Sequence, residues 1–285
     1  MTAVPELVLI RTVADLRVQV SSLRNAGKRI GFVPTMGALH EGHLALVAEA
    51  RRRSDAVAAS VFVNPTQFAA HEDLGTYPRQ EARDAELLAS AGCSILFAPD
   101  AAEMYPDGFA TSVQVGGPSE GLETDFRPHF FGGVAVVVAK LLNQVQADVA
   151  VFGEKDYQQL MVVRRMARDL DIPTEIVGAP TVRDGHGLAL SSRNAYLSDD
   201  ELAVARRLNV ILREAGDRTT VGQPVVAVEA GAAEALIEAG FARVDYVAIR
   251  QAESLAPFSG VVDAPARILA AAWLGKTRLI DNMAV

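Results

Sequence analysis

The sequence has little cysteine, no excess of positive charge and no long apolar run. Cys93 is the one cysteine among 285 residues, so no intrachain disulfide can form and a reducing cytoplasm is the expected setting. The formal net charge of −8 argues against a nucleic-acid partner, because DNA and tRNA usually bind basic surfaces. The apolar stretch 134–138 is short and is soon interrupted by Lys140. We therefore expect no membrane span, and the N-terminus does not have the pattern of a signal peptide.

Along the sequence, short apolar runs typical of strands alternate with segments whose apolar residues have helical spacing. Half of the residues are hydrophobic and 22% are charged, a balance that permits a packed core. Short apolar runs predict β-strands at 8–10, 30–33, 56–63, 94–98, 149–152 and 174–177, and helical spacing predicts helices between them. This alternation implies βαβ units, and therefore an α/β fold with a parallel sheet and right-handed crossovers.

A second unit is predicted to begin near Arg183. Ser198 and Glu201 form a capping-box pattern ahead of a helix to about Ala215. The stretch 216–224 is polar and predicted to form turns, and a further helix follows it. Strands are predicted at 244–249, 268–274 and 277–280. Two helices on a small, mostly antiparallel sheet would make a smaller α+β domain.

The segment 34–43 follows a predicted strand and opens a helix. His40 and His43 are three positions apart and share a helix face, with Gly42 between them. Gly42 lets a nucleotide approach the backbone, and the helix N-terminus offers N–H groups to phosphate. Two imidazoles there can donate hydrogen bonds to charge on an α-phosphate. We therefore predict an ATP-binding turn. The His spacing does not fit a zinc metalloprotease, and another zinc site stays open although no third ligand is evident.

Two further polar segments follow predicted strands, so they should lie at the same edge of the sheet. Asn64 and Gln67 offer neutral donors and acceptors to the hydroxyl and carboxylate groups of a small substrate, although turn formation alone would also explain them. In the segment 153–159, Lys155 can neutralise phosphate, Asp156 can accept from ribose hydroxyls, and Gln159 could reach the same pocket as Gln67. An ordinary capped helix is the alternative.

Ser191, Ser192 and Arg193 lie near the predicted domain junction. Two hydroxyls and a guanidinium can clamp a triphosphate, and a segment between domains can close as a lid. A solvated linker is the alternative.

These segments, in this order, resemble the pantothenate synthetase (pantoate–β-alanine ligase) family of the His-x-Gly-His nucleotidyltransferase superfamily. The matching segments are 34–43, 62–68, 77–79, 152–160, 188–194 and 277–282. The resemblance implies a Rossmann-type, doubly wound domain at 1–182, a smaller lid and dimer-associated domain at 183–285, and a homodimer. It also implies that pantoate attacks the α-phosphate of Mg-ATP, giving pantoyl adenylate and pyrophosphate, and that β-alanine then displaces AMP.

The resemblance also implies roles for single residues. ATP would be bound by Met36, Gly37, Ala38, Leu39, His40, Glu41, Gly42, His43, Gly153, Glu154, Lys155, Asp156, Val182, Leu190, Ser191, Ser192 and Arg193. His43 would be the proton donor, with His40, Lys155 and Arg193 as the other catalytic residues. Asn64, Gln67, Gln159 and Arg127 would bind pantoate and β-alanine, and Asp84 would have a magnesium-related role.

The chain departs from the family pattern at several positions. Phe130 and His186 replace the usual His and Asp, Thr66 and Leu190 replace Met, and Arg83 precedes Asp84 where the acidic run is normally longer.

Three other functions share part of the pattern. A nucleotidylyltransferase uses the same His-x-Gly-His turn, but would give Asn64, Gln67 and Gln159 no reason to converge. A class I aminoacyl-tRNA synthetase also has the turn, but it disagrees with the acidic charge and the lack of an anticodon-binding domain. A non-catalytic nucleotide-binding module is supported only by the departures at Phe130 and His186.

Overall fold

A computed structural model describes residues 6–68, 75 and 78–285; Tyr77, the first residue of one matching segment, lies outside this range. The chain forms two compact units. The first contains Met1–Val115, Arg127–Glu154 and Val162–Pro180, and the second contains Gly116–Phe126, Lys155–Met161 and Thr181–Val285. The division into domains at 182 and 183 stays a prediction. In the part of the chain that is described, no helix is both long and apolar enough to cross a membrane.

The first unit is built on a six-stranded parallel sheet with the strand order β1-β4-β3-β2-β5-β6. The strands are β1 (Val8–Ile10), β2 (Ile30–Thr35), β3 (Ala56–Val61), β4 (Ile95–Phe97), β5 (Val149–Gly153) and β6 (Glu175–Ala179). The helices of the same chain region are α1 (Val13–Asn25), α2 (Glu41–Arg53), α3 (Glu81–Ser90), α4 (Ala101–Met104), α6 (Phe130–Val145) and α7 (Tyr157–Asp169), which begins in the second unit. The predicted α/β class with a doubly wound parallel sheet is confirmed.

Local sequence explains these elements. The Thr12 hydroxyl accepts the N–H of Asp15 at 3.1 Å and starts α1, as an N-cap residue does. Leu16 and Val20 are its buried face, one turn apart. Helix α6 is apolar on nearly every side and is buried accordingly. Strand β3 lies between two neighbours and is buried along most of its length, as parallel strands are.

The direction of the chain reverses in the sheet between β2 and β5. From β2 the chain proceeds through β3 to β4 on one side, and it returns to the other side through β5 and β6. Ligands of such sheets bind at the carboxyl ends of the strands at this reversal. The segments after β2, β3 and β5 therefore lie along one edge, as predicted.

The second unit combines helices with a three-stranded antiparallel sheet in the order β7-β8-β9. Its elements are α5 (Glu123–Phe126), α8 (Asp199–Ala205), α9 (Arg207–Thr220), α10 (Val225–Glu238), β7 (Arg243–Gln251), β8 (Ala266–Leu274) and β9 (Thr277–Ala284). The predicted α+β character is confirmed.

Two predicted helix boundaries in this unit were wrong. Arg206 divides the predicted single helix into α8 and α9. Helix α9 then continues through Gly216 to Thr220, where turns were predicted. The reason is that Leu212, Ala215 and Thr219 continue a buried helical face, and this burial outweighs the low helix propensity of glycine.

Candidate active site

The turn between β2 and α2 is held by a buried carboxylate. Gly37 and Ala38 both have left-handed backbone angles, with φ of 84° and 52°. Asp84 of α3 is 1% exposed, and it accepts the N–H groups of Ala38 at 3.0 Å and of Leu39 at 2.8 Å. These bonds compensate for the strained backbone and set the position from which the two histidines project.

The two histidines cap helix α2. Helix α2 begins at Glu41, within the predicted turn 34–43, with His40 as its N-cap. The His40 Nδ1 atom accepts the Gly42 N–H at 3.1 Å, and the His43 Nδ1 atom accepts the His40 N–H at 3.3 Å. Because Nδ1 is an acceptor in each ring, the neutral rings carry their protons on Nε2. The ring centroids are 4.2 Å apart, so two Nε2–H donors stand side by side at the helix N-terminus.

The structure gives Asp84 a role that differs from the magnesium-related role expected of it. Both of its oxygens already accept backbone N–H groups. Among the described residues, no group of three or more His, Cys, Asp or Glu side chains could hold a metal ion. Asp84 therefore positions the turn, and the magnesium assignment stays a prediction.

Asn64 and Gln67 lie after β3 and are linked to each other. Asn64 caps the short 3₁₀ helix Pro65–Gln67, and its Nδ2 atom donates to Gln67 Oε1 at 3.1 Å. The Gln67 Nε2 atom approaches the Met36 Sδ atom at 2.9 Å. Since Met36 belongs to the predicted ATP-binding turn, the structure brings the predicted acid pocket next to that turn. Tyr105, which the sequence patterns did not indicate, donates its hydroxyl to Asn64 Oδ1 at 2.8 Å.

Arg127 reaches the same pocket. Its Nη2 atom donates to the Gln67 carbonyl oxygen at 3.4 Å, and its guanidinium lies 3.8 Å from the centre of the Phe130 ring. Phe130 thus replaces the family's usual His with an aromatic face on which the guanidinium stacks. An arginine fork held in this way is suited to a carboxylate.

The segment after β5 forms a 3₁₀ helix, Glu154–Asp156, that leads into α7. Gly153 and Glu154 belong to the first unit, whereas Lys155, Asp156 and Gln159 belong to the second. Within the second unit, Asn282 Nδ2 donates to the Lys155 carbonyl oxygen at 2.8 Å. The Lys155 Nζ atom lies 3.8 Å from the Asp156 carboxylate, which leaves it a loose ion pair.

The segment that holds Val182, Leu190 and the predicted phosphate clamp is an irregular hairpin of the second unit. The Leu190 N–H donates to the Val182 carbonyl oxygen at 2.9 Å, and the Ser191 hydroxyl accepts the Arg193 N–H at 3.3 Å. Ser192 and Arg193 open the 3₁₀ helix Ser192–Tyr196. The hairpin is anchored to β9 by a two-bond ion pair, in which Arg183 donates to both oxygens of Asp281 at 2.7 and 2.8 Å.

The side chains of Cys93 and Gln158 do not have a catalytic role. Burial raises the pKa of the Cys93 thiol to about 12, so it is not a thiolate nucleophile at neutral pH. Gln158, next to the predicted Gln159, is buried and accepts the Glu123 N–H at 3.1 Å while donating to Pro118 and Gly121 carbonyl oxygens. Gln158 is therefore structural.

Contacts that sequence patterns missed join residues across long separations. Tyr105 is 41 positions from Asn64, Asp84 is 46 from Ala38, and Asn282 is 127 from Lys155. Local spacing carries no signal for such pairs. The only sequence feature that marks Asn282 is its place in the last matching segment.

Comparison with known proteins identifies relatives along the whole chain. The family model described as pantoate-beta-alanine ligase matches residues 8–284. The pantothenate synthetase of Caulobacter vibrioides is 60% identical over 280 residues, covering 98% of each chain. That of Mesorhizobium japonicum is 59% identical over 277 residues, covering 97% of each.

Solved structures give the same result. A crystal structure of pantothenate synthetase from Thermus thermophilus superposes with a TM-score of 0.89 at 50% identity, covering 96% of this chain and 98% of that one. Pantoate-beta-alanine ligase from Francisella tularensis, crystallised with beta-gamma ATP and beta-alanine, has a TM-score of 0.80 at 34% identity, covering 98% of each chain. The resemblance drawn from the motifs is confirmed, and this chain belongs to the pantoate–β-alanine ligase family.

Proposed function

We propose that this chain condenses pantoate with β-alanine, at the expense of ATP, to form pantothenate. The observation that carries the proposal is the pair of histidine Nε2–H donors at the N-terminus of α2, at the point of the sheet where ligands bind, in a chain of this family. Membership of the pantoate–β-alanine ligase family identifies pantoate and β-alanine as the proposed substrates. The histidine pair accounts for the proposed chemistry on the nucleotide.

The proposed reaction has two steps. A carboxylate oxygen of pantoate attacks the α-phosphorus of ATP, the bond to the β-phosphate oxygen breaks, and pyrophosphate leaves. The β-alanine amine then attacks the carbonyl carbon of the resulting pantoyl adenylate and loses a proton. AMP leaves with one of the original carboxylate oxygens. Both steps build negative charge on or near the α-phosphate.

The histidines, Lys155 and Arg193 are proposed to stabilise that charge. Fixed donors aimed at developing charge are effective because they need not reorganise during the reaction, and loss of one typically costs about 10²–10³ in rate. The Nε2–H groups of His40 and His43 are held by the cap bonds of their Nδ1 atoms. His43 is the proposed proton donor.

The remaining ATP contacts are proposed for three segments. The backbone of Met36–His43 and of Gly153 and Glu154 approaches the nucleotide, and Asp156 accepts from the ribose hydroxyls. Val182 and Leu190 face adenine, and Ser191 and Ser192 hold phosphate with Arg193.

Magnesium is proposed to enter as part of the MgATP substrate. Mg²⁺ commonly binds substrate phosphates, waters and only one or two protein carboxylates. That mode fits a chain in which the described residues offer no carboxylate cluster.

The acid substrates are proposed to lie against Gln67, Arg127 and Gln159, with Asn64 in the same pocket. Gln67 is only 8% exposed, and Arg127 is held on Phe130. Both donors are thus pre-organised for a carboxylate. We further propose that the protein is a cytoplasmic homodimer. Each subunit would have two domains, formed by residues 1–182 and 183–285.

Product analysis tests this function. Purified protein with MgATP, pantoate and β-alanine should release AMP and pantothenate in equal amounts, and omission of either acid should abolish turnover. Pantoate alone should support exchange of pyrophosphate into ATP, which a nucleotidylyltransferase acting on a phosphorylated acceptor would not do. ATP binding without AMP formation under any of these conditions would contradict the proposal.

A further inference from the structure

We propose that Tyr105 and Thr66 are positioning residues that fix the amide orientation of Asn64 and, through it, of Gln67. Gln67 then presents an N–H donor, and not its carbonyl oxygen, to the carboxylate substrate. The inference rests on the proposed function and refines it, because it makes Asn64 an internal link of the pocket and not a substrate contact.

The orientation of Asn64 is set by donors around its Oδ1 atom. The Tyr105 hydroxyl donates to this oxygen at 2.8 Å, the Thr66 hydroxyl at 3.0 Å, and the Thr66 N–H at 3.3 Å. An N–H can only donate, so the carbonyl oxygen of the amide must face this side. Burial also raises the pKa of the Tyr105 phenol, which keeps its proton available for donation at neutral pH.

The acceptors around the Asn64 Nδ2 atom give the same amide orientation independently. Its Nδ2 atom lies 3.2 Å from the Gly133 carbonyl oxygen and 3.1 Å from Gln67 Oε1. A backbone carbonyl only accepts, so the amino group must face this way. Both N–H bonds of Asn64 and its oxygen are thereby used, in a side chain that is 1% exposed. Nothing in this amide is left to bind substrate.

The orientation of Gln67 follows from that of Asn64. Because Asn64 donates to Gln67 Oε1, the Gln67 amino group must point the other way, where it meets the Met36 Sδ atom at 2.9 Å. Among the described residues, Met36 is the one partner of that amino group. The second N–H is therefore available to a ligand. A carboxylate only accepts hydrogen bonds, so a reversed Gln67 would place oxygen against oxygen and lose the bond.

Thr66 gives this chain one donor more than the family pattern supplies. The family usually has Met at this position, and a thioether has no hydroxyl to donate. The Thr66 and Tyr105 hydroxyl oxygens lie 3.4 Å apart on the same Asn64 oxygen. Removal of one hydroxyl leaves the other in place, so both must be removed to leave only the two backbone contacts, the N–H of position 66 and the Gly133 carbonyl oxygen, on the Asn64 amide.

The test uses the full chain with Tyr105→Phe and Thr66→Val, alone and combined. Phenylalanine keeps the ring that lies 5.1 Å from Phe109, and valine keeps the shape of threonine. We expect the double variant to raise the KM for pantoate about tenfold, as for loss of one bond to a charged group, while the KM for ATP changes by less than about twofold. Each single variant should show a smaller change.

A second measurement reports directly whether Gln67 presents its amino group or its carbonyl oxygen to the substrate. The carboxamide analogue of pantoate can donate as well as accept, so it tolerates a reversed Gln67 better than pantoate does. We expect the ratio of analogue Ki to pantoate KM to fall about tenfold in the double variant. Tyr246→Phe is the matched control, because its hydroxyl also bonds a side chain, Glu123 Oε1, at 2.8 Å. That control should lose stability without a change in the ratio.

The outcomes are separable. If the wild-type protein makes pantothenate and the double variant keeps its pantoate KM and its ratio, the positioning proposal is wrong and the proposed function stands. If KM values for all substrates rise together, as for a general loss of packing, the proposal is again overturned. If the wild-type protein makes no AMP, the proposed function itself fails.

Discussion

The histidine pair uses its two kinds of nitrogen for separate tasks. In His40 and His43 the Nδ1 atoms accept backbone N–H groups and complete the cap of α2. The Nε2–H groups are thereby held in place for the proposed contacts with the nucleotide. A variant that removes a whole imidazole would mix these effects, since it would weaken the helix as well as the chemistry. Substitutions that imitate one nitrogen at a time can separate them.

We predict opposite results for His43→Asn and His43→Gln. Asparagine places an acceptor near the Nδ1 position and preserves the cap, but it lacks the donor at Nε2, so kcat should fall about 10²–10³-fold with little change in Tm. Glutamine reaches the Nε2 position with a donor and loses the cap acceptor. It should retain more activity and lose roughly 0.5–2 kcal/mol of stability. Kinetics and thermal unfolding of both variants check this, and equal activity would remove the Nε2–H donor from the mechanism.

Asp84 gives a second prediction for a single residue. Asp84→Asn keeps one acceptor oxygen but turns an amino group toward a backbone N–H of Ala38 or Leu39. We expect a loss of about 1–3 kcal/mol in the free energy of unfolding, with a raised KM for ATP.

The control for Asp84 lies on the same helix. Glu81 forms a partly exposed pair with Arg11, so Glu81→Gln should change stability by less than about 1 kcal/mol. Urea unfolding compares the two variants. Equal stabilities would show that Asp84 does not hold the turn.

At the scale of elements, the packing of α6 against the Pro65–Gln67 helix depends on Gly133. A Cβ atom at Gly133 would lie 2.5 Å from the Thr66 carbonyl oxygen and 2.8 Å from Gln67 Cα, whereas one at Gly132 would meet nothing closer than 3.8 Å. Gly133→Ala should therefore cost about 1–3 kcal/mol and raise the KM for pantoate.

Gly132→Ala is the matched control, since it should gain up to about 1 kcal/mol from helix propensity. Thermal unfolding measures both variants. The account of this contact fails if both alanines stabilise the protein.

Strand β9 positions Lys155 within the second unit. Asn282 donates to the Lys155 carbonyl oxygen at 2.8 Å and accepts from Arg267 Nε at 2.7 Å. We expect Asn282→Ala to raise the KM for ATP severalfold, because the backbone that carries Lys155 loses its anchor.

Asn143→Ala is the control, since Asn143 also donates to a backbone carbonyl, that of Ala139, at 2.8 Å. It should lose only stability. Steady-state kinetics with varied ATP measures both variants, and unchanged ATP kinetics in Asn282→Ala would exclude the positioning role.

Apolar spacing predicted nearly all the longer elements, because each buries a face whose period is visible locally. It failed where side-chain caps or tertiary burial decide a helix boundary. Helix α2 starts at Glu41 because two histidine side chains cap it, and α9 passes Gly216 because its buried face continues. The pairing of Tyr105 with Asn64 was not predictable, since nothing near either residue specifies the other.

At the scale of the whole molecule, the order of motifs along the chain predicted the family and the fold, and three of the motifs follow the strands β2, β3 and β5 of one sheet. The motifs could not predict which polar atoms remain for ligands. That depends on side-chain networks such as the one around Asn64, which only the folded chain assembles. The central claim that unites the motifs is chemical: the acid is activated on the α-phosphate of ATP.

Oxygen labelling tests this claim most directly. Pantoate labelled with ¹⁸O in both carboxylate oxygens is incubated with the enzyme, MgATP and β-alanine, and the nucleotide is analysed by mass spectrometry. The account predicts that each AMP formed carries one ¹⁸O atom, because the carboxylate oxygen that attacks phosphorus leaves with AMP. ADP formation with ¹⁸O in inorganic phosphate, or AMP without label, would contradict it.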